Sequence, residues 1–257
     1  MNIKVVQDIP IIEYYKAGQE KMPLLLLSHG FSGSKNDFFQ DMKFVQELAD
    51  KGFYIIAMDN RGHGDRNDLS FASCAIKNSK INIYEIRNLI KNSADDVSTL
   101  INYYENNNLI DKKRIGMTGC SMGGFITFRA MMTDSRIQAA APLIGSPTWE
   151  DIPQEVPQPL SVDRDEAILK KLKALSLQYS PNYFPEKFYG RNLLIQNGEQ
   201  DKHVDCNEVK NFYDKVAEIS PETISLITYP ATEHKVTPEM LTVTREWLCK
   251  KLATAEQ

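Results

Sequence analysis

Ser121 is the residue whose surroundings most clearly indicate nucleophilic chemistry. It is the central serine of a G-x-S-x-G pattern at 119–123, which follows an apolar run at 115–118 and opens a helical pattern at Met122. In this strand-turn-helix context the pattern is typical of a nucleophile elbow, a turn so sharp that the serine backbone is strained. Gly119 and Gly123 suit that turn because they let strand and helix approach closely. The alternative is a glycine-rich turn that only connects a strand to a helix.

His234 is the predicted general base. A serine hydroxyl is a weak nucleophile at neutral pH, so it needs an adjacent imidazole that a carboxylate orients. The sequence offers two histidines after Ser121, and His234 lies in a loop between the last strand and the final helix, where the base of this motif belongs. The other, His203, lies two residues past the predicted acid, which is a poor spacing for a side-chain pair that must also reach the serine.

Asp201 is the predicted acid, which gives the chain order serine, acid, histidine. It follows the apolar run at 192–196, and a loop at the carboxyl end of a parallel strand faces the active site. Glu199 and Asp205 share this loop and are alternatives, either as solvated charges or, for Asp205, as a helix cap. Asp201 itself has the alternative of an Asx residue that only shapes the turn.

The glycine-rich segment at 28–33 predicts part of an oxyanion hole. Negative charge on a tetrahedral intermediate needs two aimed N–H groups, and the backbone amides of Phe31 and Met122 are the predicted donors. We expect His29 to hydrogen-bond neighbouring backbone rather than to transfer protons. Further along the chain, Asp59 and Arg61 are expected to hold the loop beside these donors.

The composition favours a small-molecule substrate. The chain has 257 residues, 42% hydrophobic and 25% charged, so we expect a single globular domain over 1–257. A net charge of −4 without blocks of like charge predicts no nucleic-acid or membrane partner. We see neither a signal-peptide pattern nor a membrane span. The scattered cysteines favour a reducing cytoplasm over a disulfide framework or a zinc site; they are Cys74, Cys120, Cys206 and Cys249.

Short apolar runs alternate with amphipathic stretches, which predicts an α/β fold with a mostly parallel eight-stranded sheet flanked by helices. Strands are expected near 3–6, 11–15, 24–28, 53–58, 114–118, 139–144, 192–196 and 224–229, with the first two as an antiparallel hairpin at the sheet edge. Helices are expected over 36–51, 93–107, 122–132, 207–218 and 238–252.

Two stretches, 65–91 and 147–190, do not fit this alternation. Long insertions in a compact domain are usually lids or binding loops, so we predict that 147–190 is a small cap with one helix. Its aromatic residues include Trp149, Tyr183 and Phe184, which we expect to line an apolar pocket for an acyl or aryl group. The alternative is that these rings only dock the cap onto the domain.

Five blocks together resemble small bacterial esterases of the α/β-hydrolase superfamily, near the dienelactone-hydrolase and prolyl-oligopeptidase-like branches. They are SHGF at 28–31, DNRGHG at 59–64, GCSMGG at 119–124, the Asp201 loop and HKVTPE at 234–239. The resemblance implies ester hydrolysis through an acyl-serine intermediate, with no metal and no cofactor. Two departures disfavour the specific activities of those branches: dienelactone hydrolases have cysteine where this chain has Ser121, and the N-terminal segment is too short for the propeller of prolyl oligopeptidases.

We therefore expect a serine carboxylesterase that hydrolyses small esters with short-chain acyl or aryl groups. The same three residues attack any acyl carbonyl, so a peptidase, amide hydrolase or thioesterase is an alternative. An inactive hydrolase-fold protein that binds a ligand is a second alternative, disfavoured because competent residue types fill every catalytic position. The expected partner is the ester itself, and a homodimer is compatible with the sequence.

Overall fold

A computed structural model describes residues 1–40, 42–67, 75–156 and 158–253 of the chain. The strands in chain order are β1 (Asn2–Val6), β2 (Ile9–Tyr14), β3 (Met22–Ser28), β4 (Tyr54–Met58), β5 (Ile76–Lys77), β6 (Lys80–Ile81), β7 (Ile110–Cys120), β8 (Ile137–Leu143), β9 (Ser161–Val162), β10 (Asn192–Gly198) and β11 (Ile224–Tyr229). The helices are α1 (Lys43–Asp50), α2 (Ile83–Tyr104), α3 (Met122–Thr133), α4 (Glu166–Tyr179), α5 (Cys206–Ala217) and α6 (Pro238–Leu252).

Eight strands form the central sheet in the order β1-β2-β4-β3-β7-β8-β10-β11. The sheet is mixed: β2 pairs antiparallel with both β1 and β4, and the remaining neighbours are parallel. This confirms the predicted eight-stranded, mostly parallel sheet with an antiparallel hairpin at its edge. The carboxyl ends of β3, β7 and β10 therefore meet on one side of the sheet, where a site can form.

Helices cover both faces of the sheet, which explains why its central strands are continuous apolar runs. Along β3, Leu24 and Leu26 pack in the cluster that includes α2, α3 and α5, while Leu25 and Leu27 pack in the cluster with α1 and α6. All four leucines are fully buried. Because side chains alternate along a strand, a run of four leucines fits a strand that is covered on both faces.

Two predicted helices differ from those observed. α2 begins at Ile83, ten residues before the predicted start, because Asn82 caps it by accepting a hydrogen bond from the Glu85 amide. The predicted helix over 36–51 is two elements: a short 3-10 turn at Lys35–Phe39, followed by α1. The capping box formed by Ser34 and Asp37 starts the first turn, and hydrophobic spacing alone does not reveal that division.

The stretches at 65–91 and 147–190 meet in a second, three-stranded sheet of order β5-β6-β9. β9 pairs parallel with β6, and the amides of Ser161 and Asp163 donate to the carbonyls of Ser79 and Ile81, each over 2.9 Å. α4, which Asp165 caps, packs on α2. The two stretches are thus joined, which the sequence pattern did not predict. Part of the first stretch, 68–74, lies outside the described residues.

Among the residues described, no helix has the length and apolar character needed to cross a membrane. Cys120, Cys206 and Cys249 are free thiols, whereas Cys74 lies outside the described residues.

Candidate active site

Ser121 lies on the turn between β7 and α3 in a strained backbone conformation, with φ 54° and ψ −117°. Its amide donates to the carbonyl of Leu143 on β8 over 2.9 Å, which fixes the turn against the neighbouring strand. A Cβ atom at Gly119 would lie 2.7 Å from the Ser28 backbone oxygen, and one at Gly123 would overlap that same oxygen. Both positions therefore need glycine, and the close packing presents the Ser121 side chain at the edge of the sheet.

His234 and Asp201 lie in line with the serine. Ser121 Oγ is 2.7 Å from His234 Nε2, and His234 Nδ1 is 2.7 Å from Asp201 Oδ2. A neutral imidazole with its proton on Nδ1 donates to the carboxylate and leaves Nε2 free to accept from the hydroxyl. The structure thus brings together the three side chains that the sequence places 33 and 113 positions apart.

Asp201 is held in place by its other oxygen. Oδ1 accepts hydrogen bonds from the amides of His203, over 2.8 Å, and Val204, over 3.0 Å. The carboxylate is fully buried, whereas the His234 side chain is 19% exposed. Asp201 therefore forms the Asx-type turn that was the alternative for this residue, and it also contacts His234. Asp205 caps α5 and Glu199 accepts from the Thr228 hydroxyl, so neither alternative acid occupies the place beside the imidazole.

His203 packs against His234, with ring centroids 4.5 Å apart. Its Nδ1 atom is buried and has no hydrogen-bond partner in the described part of the chain. Burial, and secondly the charge of a protonated His234, lowers the pKa of His203 below its ordinary value. Chain spacing gave no signal that these two rings would be in contact.

The segment that follows β3 lies beside the elbow. A Cβ atom at Gly30 would be 3.7 Å from the Cβ of Ser121, so Gly30 lies beside the nucleophile. A turn closed by the Gly33 amide, which donates to the Gly30 carbonyl over 3.1 Å, shapes this segment. Met122 is the first residue of α3, and its amide belongs to the unpaired N–H groups at a helix start. Met122 thus follows Ser121 directly in the chain, and Phe31 follows a glycine that lies beside Ser121; the role of their amides as oxyanion donors stays a prediction.

His29 holds two loops together through its backbone contacts, in agreement with the structural role predicted for it. Its Nε2 accepts from the Asn60 amide over 3.1 Å, and its Nδ1 lies 2.7 Å from the Gly30 carbonyl. The Asn60 side chain in turn donates to the His29 carbonyl and accepts from the Ser28 hydroxyl. Burial lowers the pKa of His29, which favours the neutral ring that this pattern needs.

Asp59 ties the loop after β4 to the segment that follows the predicted donors, as expected, whereas Arg61 ties the same loop to α2. Asp59 forms a buried ion pair with Lys35 over 2.7 Å, and both side chains are almost fully buried. Arg61 instead binds Asp96 on α2 through two hydrogen bonds of 2.9 and 2.7 Å. Sequence reasoning missed Lys35 because a lysine is rarely buried and no motif marks it.

Cys120 lies before the nucleophile and lines a mostly apolar cavity of about 150 Å³ with Leu143, Val236 and Leu241. Burial raises the pKa of its thiol to about 11, so the thiolate is scarce at neutral pH. This agrees with the interpretation of Cys120 as a small filler and not as a second nucleophile.

The three predicted pocket residues lie in different environments. Trp149 is fully buried in the main core, and its indole Nε1 has no hydrogen-bond partner among the described residues. Arg87 on α2 donates to the Trp149 carbonyl over 3.1 Å. Tyr183 is 41% exposed with its hydroxyl on Glu150, and Phe184 is half-buried. Trp149 thus docks its segment onto the domain, the alternative weighed above.

Comparisons with known proteins identify the family of the chain. The model of the prolyl oligopeptidase family matches residues 36–253. A protein of Bacillus subtilis (strain 168) named "Putative esterase YitV" is 28% identical over 255 residues, which cover 95% of this chain and 96% of that protein.

Two solved structures share the fold. TT1662 from Thermus thermophilus has a TM-score of 0.73 at 19% identity and covers 99% of this chain and 100% of its own. Est1E from Butyrivibrio proteoclasticus, solved with ferulic acid, has a TM-score of 0.64 at 17% identity, with 99% and 100% covered. The family match spans most of the sequence, from the 3-10 turn after β3 to the end of α6. The chain is therefore a serine hydrolase of the α/β-hydrolase fold, and it belongs to the prolyl oligopeptidase family.

Proposed function

We propose that the protein is a carboxylesterase that hydrolyses small esters through an acyl-serine intermediate. Ser121 is the nucleophile, His234 the general base and Asp201 the acid that orients the imidazole. The observation that supports this most directly is the hydrogen-bonded line from Oγ through the imidazole to the buried carboxylate, with two contacts of 2.7 Å. The name of the Bacillus subtilis relative, which includes the word esterase, supports the choice of an ester as substrate.

The first half of the reaction acylates the enzyme. Ser121 Oγ attacks the ester carbonyl while its proton passes to His234 Nε2, and the imidazolium that forms is stabilised by Asp201. The oxyanion of the tetrahedral intermediate accepts hydrogen bonds from the amides of Phe31 and Met122. When the intermediate collapses, the C–O bond to the alcohol breaks, and the alcohol leaves with the proton from Nε2.

The second half restores the enzyme. A water molecule attacks the acyl carbonyl while His234 takes its proton, and the carboxylic acid leaves as Ser121 recovers its proton from Nε2. No metal or cofactor enters either step.

We propose that the stretch at 147–190 forms a small cap over this site and limits the acyl chain. α4 is its principal helix, and the link from β9 to β6 joins it to the stretch at 65–91. A single helix can line only a short tunnel, and a long acyl chain does not fit in a short tunnel. A series of p-nitrophenyl esters from acetate to palmitate should give the highest kcat/KM at two to six carbons. A maximum at ten carbons or more would contradict this cap.

Amide hydrolysis is the second candidate, and membership of the prolyl oligopeptidase family favours it. The same line of residues attacks esters, thioesters and amides, so the pocket sets the preference. We expect kcat/KM on p-nitrophenyl acetate to exceed that on an acyl-CoA thioester and on an aminoacyl p-nitroanilide. A higher kcat/KM on the anilide than on p-nitrophenyl acetate would show that the protein is a peptidase and not an esterase.

The experiment that tests the function is steady-state kinetics of the full chain on p-nitrophenyl acetate, with Ser121→Ala as the matched variant. The substitution removes one oxygen and should lower kcat by about 10⁴ or more while the protein stays folded. Activity that persists in Ser121→Ala would refute the assignment of the nucleophile. A folded wild-type chain that hydrolyses none of the three substrate classes would favour the ligand-binding alternative.

A further inference from the structure

Asp201, His203 and His234 form a compact group of metal-ligand side chains. One ligand atom from each lies within 4.8 Å of the others, counting the imidazole nitrogens and a carboxylate oxygen. We propose that this group binds a divalent zinc-type cation that inhibits the enzyme reversibly. The inhibition, though not the binding, depends on the proposed function of the same site.

A nitrogen atom of His203 supports the metal site independently of the hydrogen bonds that join Ser121, His234 and Asp201. Its Nδ1 is buried without a hydrogen-bond partner in the described residues, although the ring lies directly against His234. A buried polar atom without a partner is uncommon and energetically costly. A neutral imidazole nitrogen that makes no hydrogen bond can offer its lone pair to a cation.

The donor set suits zinc. Two imidazoles and one carboxylate are ligands that Zn²⁺ binds at about 2.0–2.2 Å, with a fourth position left to water. In a tetrahedral arrangement such ligand atoms lie about 3.3 Å apart, so atoms within 4.8 Å need only small side-chain rotations to close on one ion. Asp201 is held through Oδ1 by two amides, which leaves Oδ2 to act as the ligand.

A polar cavity lies beside the acid loop. This cavity, of about 760 Å³, includes Asp201 in its wall. Its charged lining has four carboxylates against two lysines, namely Glu199, Asp201, Asp205, Glu233, Lys202 and Lys210. The excess of negative charge favours a cation over an anion.

Binding at His234 Nδ1 removes the general base. A neutral imidazole has one lone pair and one N–H, so an ion that takes the Nδ1 lone pair moves the proton to Nε2. Nε2 then donates to Ser121 Oγ and no longer accepts its proton. Hydrolysis should stop without any change in the fold, and it should resume when the ion is removed.

The test uses ZnCl₂ with the full chain and two readouts. Isothermal calorimetry on Ser121→Ala measures binding without any need for turnover, and kinetics on p-nitrophenyl acetate with wild type measures inhibition and its reversal by EDTA. We expect one ion per chain in the calorimetry and full recovery of activity with EDTA.

Two variants distinguish the site from its surroundings. His203→Phe keeps a flat ring beside His234 but removes the ligand, so it should bind Zn²⁺ at least about tenfold more weakly and require at least about tenfold more Zn²⁺ for half-inhibition. Cys206→Ser, which removes a nearby half-buried thiol, should respond to zinc as wild type does.

Each outcome bears on the inference separately from the function. Absence of calorimetric binding, or an unchanged response in His203→Phe, overturns the zinc site even if the esterase activity is present. A response lost in Cys206→Ser and kept in His203→Phe assigns the ion to the thiol and also overturns it. Binding that His203→Phe weakens, in a protein without esterase activity, supports the site and refutes the proposed function instead.

Discussion

Asp201→Asn separates the orienting role of the acid from its role in folding. Asp201 Oδ1 accepts from two amides, and an asparagine carbonyl can accept both hydrogen bonds. The other oxygen, 2.7 Å from His234 Nδ1, is replaced by an NH₂ group, which cannot accept a hydrogen bond from that nitrogen. The imidazole must then carry its proton on Nε2, the nitrogen that should accept from Ser121.

The expected loss in kcat is about 10⁴, or about 5.5 kcal/mol of transition-state stabilisation, which is the usual effect of forcing the wrong tautomer. The melting temperature should change little, because the amide contacts and the volume of the side chain are kept. The assay is kcat on p-nitrophenyl acetate from pH 6 to 9, together with a thermal melt monitored by circular dichroism.

Asp205→Asn is the matched control on the same loop. Asp205 caps α5 by accepting from the Asn207 amide, and asparagine caps equally well, so full activity is expected. Wild-type activity in Asp201→Asn would refute the reasoning and assign the acid to another carboxylate. An equal loss in both variants would mean that the loop, and not the tautomer, controls activity.

Two further predictions concern stability. Lys35→Met leaves Asp59 charged and buried without its ammonium partner, so the free energy of unfolding measured in urea should fall by about 3–5 kcal/mol. Lys202→Met, which breaks the exposed ion pair of Lys202 with Glu155, is the control and should unfold as wild type does; equal unfolding curves for the two variants would contradict the prediction. Burial lowers the pKa of both His29 and His63, so below pH about 6.5 the unfolded chain binds more protons than the folded protein does. The melting temperature should therefore fall as the pH is lowered from 7.5 to 5.5. A melting temperature that stays constant or rises over that change would contradict the assignment of neutral buried rings.

The sequence was sufficient to predict the fold because local signals and burial agree along its central strands. The leucine run of β3 and the apolar run before Ser121 are each followed by a glycine-containing turn, and both features recur in the structure. The start of α2 at Ile83 was missed although Ile83, Ile86 and Ile90 have helical spacing and Asn82 is a suitable N-cap. β5, β6 and β9 have two residues each, which is too short for any alternating pattern to be visible.

Contacts between distant side chains were the part of the site that could not be predicted. Motif order pointed to Asp201 and His234, but nothing in the spacing predicted that His203 would lie against the same imidazole. The burial of Lys35 on Asp59 likewise depends on two loops meeting, since a lysine next to a capping serine looks solvent-exposed in sequence. Such pairs follow from tertiary packing, which local propensity does not encode.

Labelling with a fluorophosphonate probe tests most directly whether the hydroxyl at position 121 is activated by the imidazole and carboxylate beside it. We predict one adduct per wild-type chain by intact-mass spectrometry, located by digestion on the peptide that contains Ser121. Neither Ser121→Ala nor His234→Ala should react at a comparable rate, although both stay folded. An adduct on another residue, or undiminished labelling of His234→Ala, would contradict the account.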